Sequence, residues 1–292
     1  MTFQTARKIF PANDYDLAKT LISGQAFRWQ FCDGAWESVI DSRWVRLRQT
    51  GNEIAAETVA AVSDGQATTF DWSWLGNYLQ LEVNLTEIIF TFPGDEPMRA
   101  AVEACRGLRL LRQNPWECLA SFILSSTKQI VQIQQIVALL CRRFGEKISV
   151  SIGHEPAFAF PGFTTMAALT EKDLRDCKMG FRAPYLLATA KMLANQEVVL
   201  ENLPRCSVGE ARAELLKFPG VGNKIADCVL LFSYGFQEAF PVDVWVMKAL
   251  RELYFPKRSV KLKRLQKFSQ THFGPNAGYA QQYLFHYMRT KK

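Results

Sequence analysis

Leu215-Leu216-Lys217-Phe218-Pro219-Gly220-Val221-Gly222-Asn223-Lys224-Ile225-Ala226-Asp227-Cys228 reads as a helix, a tight Pro-Gly-Val-Gly turn and a second helix. The two glycines permit backbone conformations that a Cβ obstructs, and they let another molecule approach the main chain closely. The turn feeds a helix N-terminus, where unpaired N–H groups and the helix dipole favour a phosphate. A helix–hairpin–helix of this kind holds a nucleic-acid backbone through Gly220, Val221 and Gly222 without reading base sequence. For the turn alone, an ordinary αα-corner is the competing reading.

Outward from the hairpin the apolar residues keep helical spacing. Leu119, Phe122 and Ile123, then Ile130, Ile133, Ile136, Val137 and Leu140, recur at threes and fours. Further helices are predicted over 166–177, 182–195, 208–217, 223–234, 243–254, 259–272 and 277–289. Ahead of the turn-rich Phe92-Pro93-Gly94-Asp95-Glu96-Pro97 the pattern changes. Residues 27–31, 36–40 and 44–48 are aromatic, β-branched and partly alternating, with turn-prone pieces between them, which is the pattern of an antiparallel sheet. Five of the seven tryptophans (29, 36, 44, 72 and 74) lie in this region and predict an aromatic core of its own. The expected class is α+β: an N-terminal antiparallel β-sheet module over residues 1–97, then an all-helical body over 98–292 with the hairpin near 215–228.

Composition narrows the function classes. The 292 residues are 48% hydrophobic and 22% charged, so collagen-like, fibrous and disordered readings fall away. The best apolar run, Ile136 to Cys141, is far short of the roughly 18 residues that span a bilayer, and the opening MTFQTARKIF lacks the apolar core of a secretory signal. A protein that is not secreted and has no membrane partner is expected, in the cytoplasm or nucleoid of a bacterium or the nucleus of a eukaryote. The net charge is +7, but residues 251–292 hold ten Lys/Arg against one acid, so the remainder is slightly acidic. Phe255, Leu262, Leu265, Phe268, Phe273 and Tyr279 interleave with those charges, which predicts a folded basic face and makes a polyanion partner plausible. The seven cysteines are widely spaced with no C-x-x-C pair, and none of His154, His272 and His286 has ligand spacing with another His or Cys. Neither a metal nor a cofactor is expected.

Two residues beside the hairpin carry chemistry. Lys224 lies just inside the second helix, and a lysine in its neutral form is a nucleophile able to form a Schiff base with a sugar aldehyde carbon. Nineteen positions later, Asp243 stands in Phe240-Pro241-Val242-Asp243-Val244-Trp245-Val246, where a helix should begin. An N-cap is the structural role available to it. A carboxylate there can also stabilise positive charge developing on a sugar, or help deprotonate a nucleophile. Each alone reads as structural; in order with the hairpin they form a specific constellation.

At these residues the chain resembles the helix–hairpin–helix DNA glycosylases, and within them the 8-oxoguanine DNA glycosylase family. Ser23-Gly24-Gln25-Ala26-Phe27-Arg28-Trp29 resembles the family's Ser-Gly-Gln-x-Phe-Arg-Trp segment. The stretch Leu110 to Leu119 with Phe122-Ile123-Leu124-Ser125-Ser126 resembles the start of its helical body. Gly180-Phe181-Arg182-Ala183 and Ala277-Gly278-Tyr279-Ala280-Gln281 are similar to two further blocks. The resemblance covers nearly the whole chain. It implies a DNA repair enzyme of base excision, a bifunctional glycosylase and AP lyase that flips 8-oxoguanine out of the duplex. Lys224 then attacks C1′, and the Schiff base permits β-elimination. Asp243 corresponds to the catalytic aspartate. Gly24 matches the glycine whose carbonyl accepts the N7 proton that oxidised guanine has and guanine lacks. Phe285 and Cys228 match the two walls that sandwich the base, and Gln281 the glutamine that reads its Watson–Crick edge. The partner implied is double-stranded DNA containing oxidised guanine, bound by a monomer.

Departures from the pattern fall on opposite-base readout. Trp245 stands where well-known members carry histidine. Thr127, Lys128 and Gln129 replace an Asn-Asn-Asn run, and Gln132 replaces an arginine. Arg182 remains as a cytosine-reading candidate, Phe181 as an apolar wedge, and Lys128 as a phosphate contact, so relaxed selectivity for the opposite base is expected. The alternatives are a related glycosylase for another damaged base, or a non-catalytic DNA-binding module. The latter leaves the Lys224–Asp243 pairing and the Gly24 segment unexplained.

Overall fold

A computed structural model describes residues 2–62, 70–125, 129–256 and 260–291. Strands β1 (Thr2–Pro11), β2 (Gln30–Cys32), β3 (Ala35–Ile40), β4 (Arg43–Thr50) and β5 (Glu53–Val62) form one antiparallel sheet in the order β1-β5-β4-β3-β2. Tight turns join β2 to β5, and their left-handed residues are those such turns select: Asp33, Gly34, Asp41 and Gly51 all have positive φ.

Two of these strands go unread in the sequence. β5 is Glu53-Ile54-Ala55-Ala56-Glu57-Thr58-Val59-Ala60-Ala61-Val62, and its alanines and glutamates favour helix as isolated residues. Ten consecutive pairs with β1, from Thr2–Val62 to Pro11–Glu53, override that preference. The predicted strand over 27–31 shrinks in turn to Gln30–Cys32, because Phe27 and Trp29 are buried in packing with the rest of the chain rather than paired in the sheet. Trp29 donates its indole N–H to the Tyr78 hydroxyl at 3.0 Å.

The faces of the sheet divide by chemistry. Across its outer face Glu37, Arg46, Glu57 and Arg7 stand on successive paired strands, a ladder of alternating charge with N–O distances of 3.3 Å for Arg46–Glu37 and 2.9 Å for Arg7–Glu57. The inner face buries Phe10, Val45, Leu47 and Ile54 against Leu17, Leu21, Trp72, Leu75 and Leu79. Of the five tryptophans, Trp29, Trp36, Trp72 and Trp74 join this core, whereas Trp44 faces the His154 ring at 4.7 Å.

From Leu85 onward the chain feeds a second, larger core, ahead of the turn at 92–97, and Leu111 returns to the first. At the centre of that core lies the helix Pro115–Leu124, capped by Asn114 and buried from Cys118 to Leu124. Around it stand the helices Ile130–Phe144, Ala183–Ala194, Val208–Leu215, Asn223–Val229, Val244–Ala249, Leu262–His272 and Ala277–Thr290. The helix predicted over 166–177 is two short ones, Phe163–Ala167 and Glu171–Arg175. Thr170 caps the second by exchanging hydrogen bonds with Asp173, which restarts the helix there. At the C-terminal end Leu265, Phe273 and Tyr279 are buried, and the Phe255 and Phe268 rings meet at 5.0 Å, while Lys261, Arg264 and Lys267 are exposed. This basic segment is a folded face. All seven cysteines are free thiols, and no described helix is long and apolar enough to cross a membrane.

Candidate active site

The hairpin is locked before it presents anything. Its first helix, Val208–Leu215, is opened by a capping box between Ser207 and Glu210. Gly220 has φ +78° and packs so closely on Tyr185 that a Cβ there would lie 2.8 Å from the ring. The turn therefore requires glycine twice over, for its backbone angle and for its clearance. Val221 is buried, and Gly222 caps the second helix, Asn223–Val229, which runs on as a π-helical turn through Tyr234 to Gly235. Arg212 ties the two helices by donating to Asp227 at 2.8 Å. Burial pushes the Asp227 carboxyl above its ordinary range although Arg212 opposes that shift.

Lys224 extends from the second helix toward the C-terminal end of the helix Pro115–Leu124. Its Nζ donates to Ser125 Oγ at 3.0 Å and stands 5.0 Å from the centre of the Phe122 ring. The Ser125 hydroxyl in turn donates to the Phe122 carbonyl at 2.7 Å. Its single proton is thus committed, and toward the lysine it acts as an acceptor. Asp243 is the N-cap of the helix Val244–Ala249, accepting from the Val246 N–H at 2.8 Å. Burial raises its carboxyl above the ordinary range, and the Val246 N–H and Lys224 pull the other way. The cap and the chemical role proposed for Asp243 are compatible, since one oxygen serves the backbone.

The opposite side of the same cleft comes from the two ends of the chain. The helix Leu17–Ile22 leads into Ser23-Gly24-Gln25, a segment held on both flanks. Gln25 is fully buried: its Nε2 donates to the Thr20 and Arg109 carbonyls and to Ser23 Oγ, and its Oε1 accepts from the Leu111 N–H at 2.8 Å. Gln282, on the C-terminal helix Ala277–Thr290, donates to the Ser23 carbonyl at 3.0 Å, and Gln113 to the Gln25 carbonyl at 2.7 Å. Between these anchors Gly24 has φ +81°, with Arg289, Ile130 and Phe285 packed over its Cα. Gln281 is buried with its Oε1 unpartnered, and Phe285 follows one turn later. Burial pushes the Cys228 thiol up to about 12, so it is a neutral, unreactive wall at physiological pH.

Gly24, Lys224, Cys228, Asp243, Gln281 and Phe285 all line this one cleft. It is narrow, about 40 Å³, so a purine enters only as the side chains around it give way. Larger clefts, of about 310 Å³ beside Trp116 and about 530 Å³ across the outer sheet face, contain none of these groups. Size does not locate the chemistry here. The remaining candidates lie elsewhere: Phe181 is half exposed, and Arg182 is buried with its guanidinium 4.2 Å from the Phe181 ring. Gln132 accepts from the Gln129 N–H at 3.1 Å and caps its own helix. Thr127 and Lys128 lie outside the described residues. Sequence reasoning did not single out Ser125, Gln113 or Gln282 as site residues. Each stands among other polar residues with nothing in the sequence to set it apart, and only its contact reveals it.

The geometry matches known proteins over the whole chain. Residues 8–119 match the model of the 8-oxoguanine DNA glycosylase N-terminal domain, and residues 120–273 that of the HhH-GPD superfamily of base excision DNA repair proteins. The 8-oxoguanine glycosylase/lyase of Clostridium acetobutylicum, solved with double-stranded DNA containing cytosine opposite 8-oxoguanine, is 32% identical with a TM-score of 0.85, covering 97% of each chain. This chain belongs to the 8-oxoguanine DNA glycosylase family. A second member, MBOgg1 solved with a low-affinity DNA ligand, is 30% identical with a TM-score of 0.88 over 99% of each chain. The N-glycosylase/DNA lyase of Saccharomyces cerevisiae is 29% identical, covering 87% of this chain and 72% of its own. For an 8-oxoguanine DNA glycosylase the division of labour is then physical. The sheet module brings Gly24 to the cleft, and the helical body brings Lys224, Asp243 and Phe285.

Proposed function

We propose that this chain is a bifunctional DNA glycosylase/AP lyase that excises 8-oxoguanine from duplex DNA. The observation that carries the reading is that Lys224 and Asp243 share one cleft with Gly24, Cys228, Gln281 and Phe285. The helix cap accounts for Asp243 alone, but a non-catalytic module leaves the gathering of Lys224, Gly24 and Phe285 around it unexplained.

The reaction follows from these groups. The Gly220–Gly222 turn grips the backbone, aided by the basic C-terminal face, and Phe181 wedges into the gap as the damaged base leaves the stack. Phe285 and Cys228 sandwich the base, and Gln281 Oε1 accepts from its Watson–Crick edge. The Gly24 carbonyl accepts the N7 proton. Guanine offers a lone pair at that atom, so one backbone acceptor rejects it. The Lys224 amine forms a bond to C1′ as the glycosidic bond breaks, the bonding pair leaves with the base, and the proton that the new C–N bond displaces from the amine ends on the base. Asp243 stabilises the positive charge that develops on the sugar. Ring opening gives the Schiff base, loss of a C2′ proton follows, and the 3′ phosphate departs by β-elimination. The enzyme acts as a monomer in the compartment that holds the genome.

Borohydride reduction of the intermediate tests this. Wild-type protein with an 8-oxoguanine·C duplex should yield a covalent protein–DNA adduct that Lys224→Gln abolishes. An undiminished adduct in that variant rejects the assignment.

A further inference from the structure

One turn beyond Phe285 on the C-terminal helix stands an arginine that no motif singles out. The guanidinium carbon of Arg289 lies 5.6 Å from the centre of the Phe285 ring, within cation–π range. Its Nη2 donates at 2.6 Å to the carbonyl of Ile22, the last residue of the helix Leu17–Ile22. Carbonyls there lack intrahelical partners and form the negative end of the dipole. Its Nη1 is shielded from solvent, has no acceptor among the described residues, and lies against Gly24: a Cβ on that glycine would be 2.9 Å from Nη1 and 3.3 Å from Phe285 Cε1. One side chain therefore touches both the segment that carries the Gly24 carbonyl and the ring that stacks on the base. An unbranched apolar side chain such as methionine would pack here without leaving a buried N–H unpaired, so packing alone does not explain the arginine.

We infer that Arg289 is a positioning residue for damaged-base recognition, setting the gap between the Gly24 backbone and the Phe285 ring. The inference rests on the base-pocket reading above. It predicts a split between two steps of one enzyme, because excision needs the base pocket whereas cleavage of a preformed abasic site does not. The test is single-turnover excision from an 8-oxoguanine·C duplex, beside cleavage of the same duplex carrying an abasic site, for wild type, Arg289→Met and Arg289→Lys. Excision by Arg289→Met should fall about tenfold while abasic-site cleavage falls less than threefold. Arg289→Lys should recover most of the loss, since an ammonium can still donate to Ile22 and lie over the ring. Abasic-site cleavage also reports the folded fraction of each preparation. Excision by Arg289→Met within twofold of wild type overturns the inference. So does a parallel fall in both activities, which marks a role in folding or DNA binding, or a lysine variant no better than methionine. If wild type itself leaves 8-oxoguanine in place, the base-pocket reading fails instead.

Discussion

On the reaction side of the cleft, Lys224 and Asp243 lie nineteen residues apart, and each is placed by its own helix terminus. On the recognition side, Gly24 comes from the sheet module, while Gln281 and Phe285 come from the C-terminal helix more than 250 residues later. The first side uses ionisable groups in partly buried positions. The second uses a backbone carbonyl, an amide and a ring, none of which can titrate. The difference teaches where each property is vulnerable. On the roles proposed above, the chemistry rests on local capping and burial, whereas discrimination of the damaged base rests on hydrogen bonds that tie two distant segments, Gln282 to Ser23 and Arg289 to Ile22.

The sharpest way to break the contrast is Asp243→Asn. Asparagine caps a helix as well as aspartate, so the fold survives while the charge is lost. Both excision and abasic-site cleavage should fall by about a hundredfold or more in single-turnover assays. The sign of the stability effect differs from that of most mutations. Burial holds the Asp243 carboxyl above the ordinary range, so its charge burdens the folded state at neutral pH, and the burden disappears as the pH falls below the unfolded carboxylate's own range. Asp243→Asn should therefore raise the thermal midpoint at pH 7, by about 1–3 °C, with the gain vanishing in acid. Wild-type activity should begin to fall with acidification at a higher pH than an unperturbed carboxylate would produce. A lowered midpoint at pH 7 contradicts the burial argument.

Next in size is Gly24→Ala. Its φ of +81° strains any residue that carries a Cβ, and that Cβ would press on the Arg289, Ile130 and Phe285 side chains, so the segment that carries the carbonyl is disturbed. Excision should fall by roughly 10–100-fold, about 1.4–3 kcal/mol of transition-state stabilisation. Abasic-site cleavage should change little, and equal losses in the two assays would erase the distinction between the sides. The smallest effect concerns the base opposite the lesion. Thr127 and Lys128 replace two asparagines, and Gln132, in place of arginine, is engaged in capping its own helix. Rates on duplexes with cytosine, adenine, guanine and thymine opposite 8-oxoguanine should therefore differ by less than about tenfold, under 1.4 kcal/mol. Strong cytosine preference would contradict relaxed readout.

Legibility in the sequence followed the range of the interactions. The helices at 182–195, 208–217, 223–234 and 277–289 were readable because apolar spacing and caps are local, and their ends moved by only a few residues. β5 was not, because its alanines acquire strand geometry only from β1, some fifty residues away. The hairpin, Lys224 and Asp243 were legible for the same local reason. Gly24 and Phe285 were found only through a resemblance, and Ser125, Gln282 and Arg289 only through their contacts.

By itself the sequence determined the α+β division and the hairpin, and it named Lys224 and Asp243 as candidates, because turn chemistry, capping and periodicity act within a few residues. Tertiary structure decided that these groups face Gly24 and Phe285 across one cleft. It also decided that burial raises the Asp243 carboxyl and leaves Cys228 inert, since desolvation depends on what the rest of the fold packs around a group.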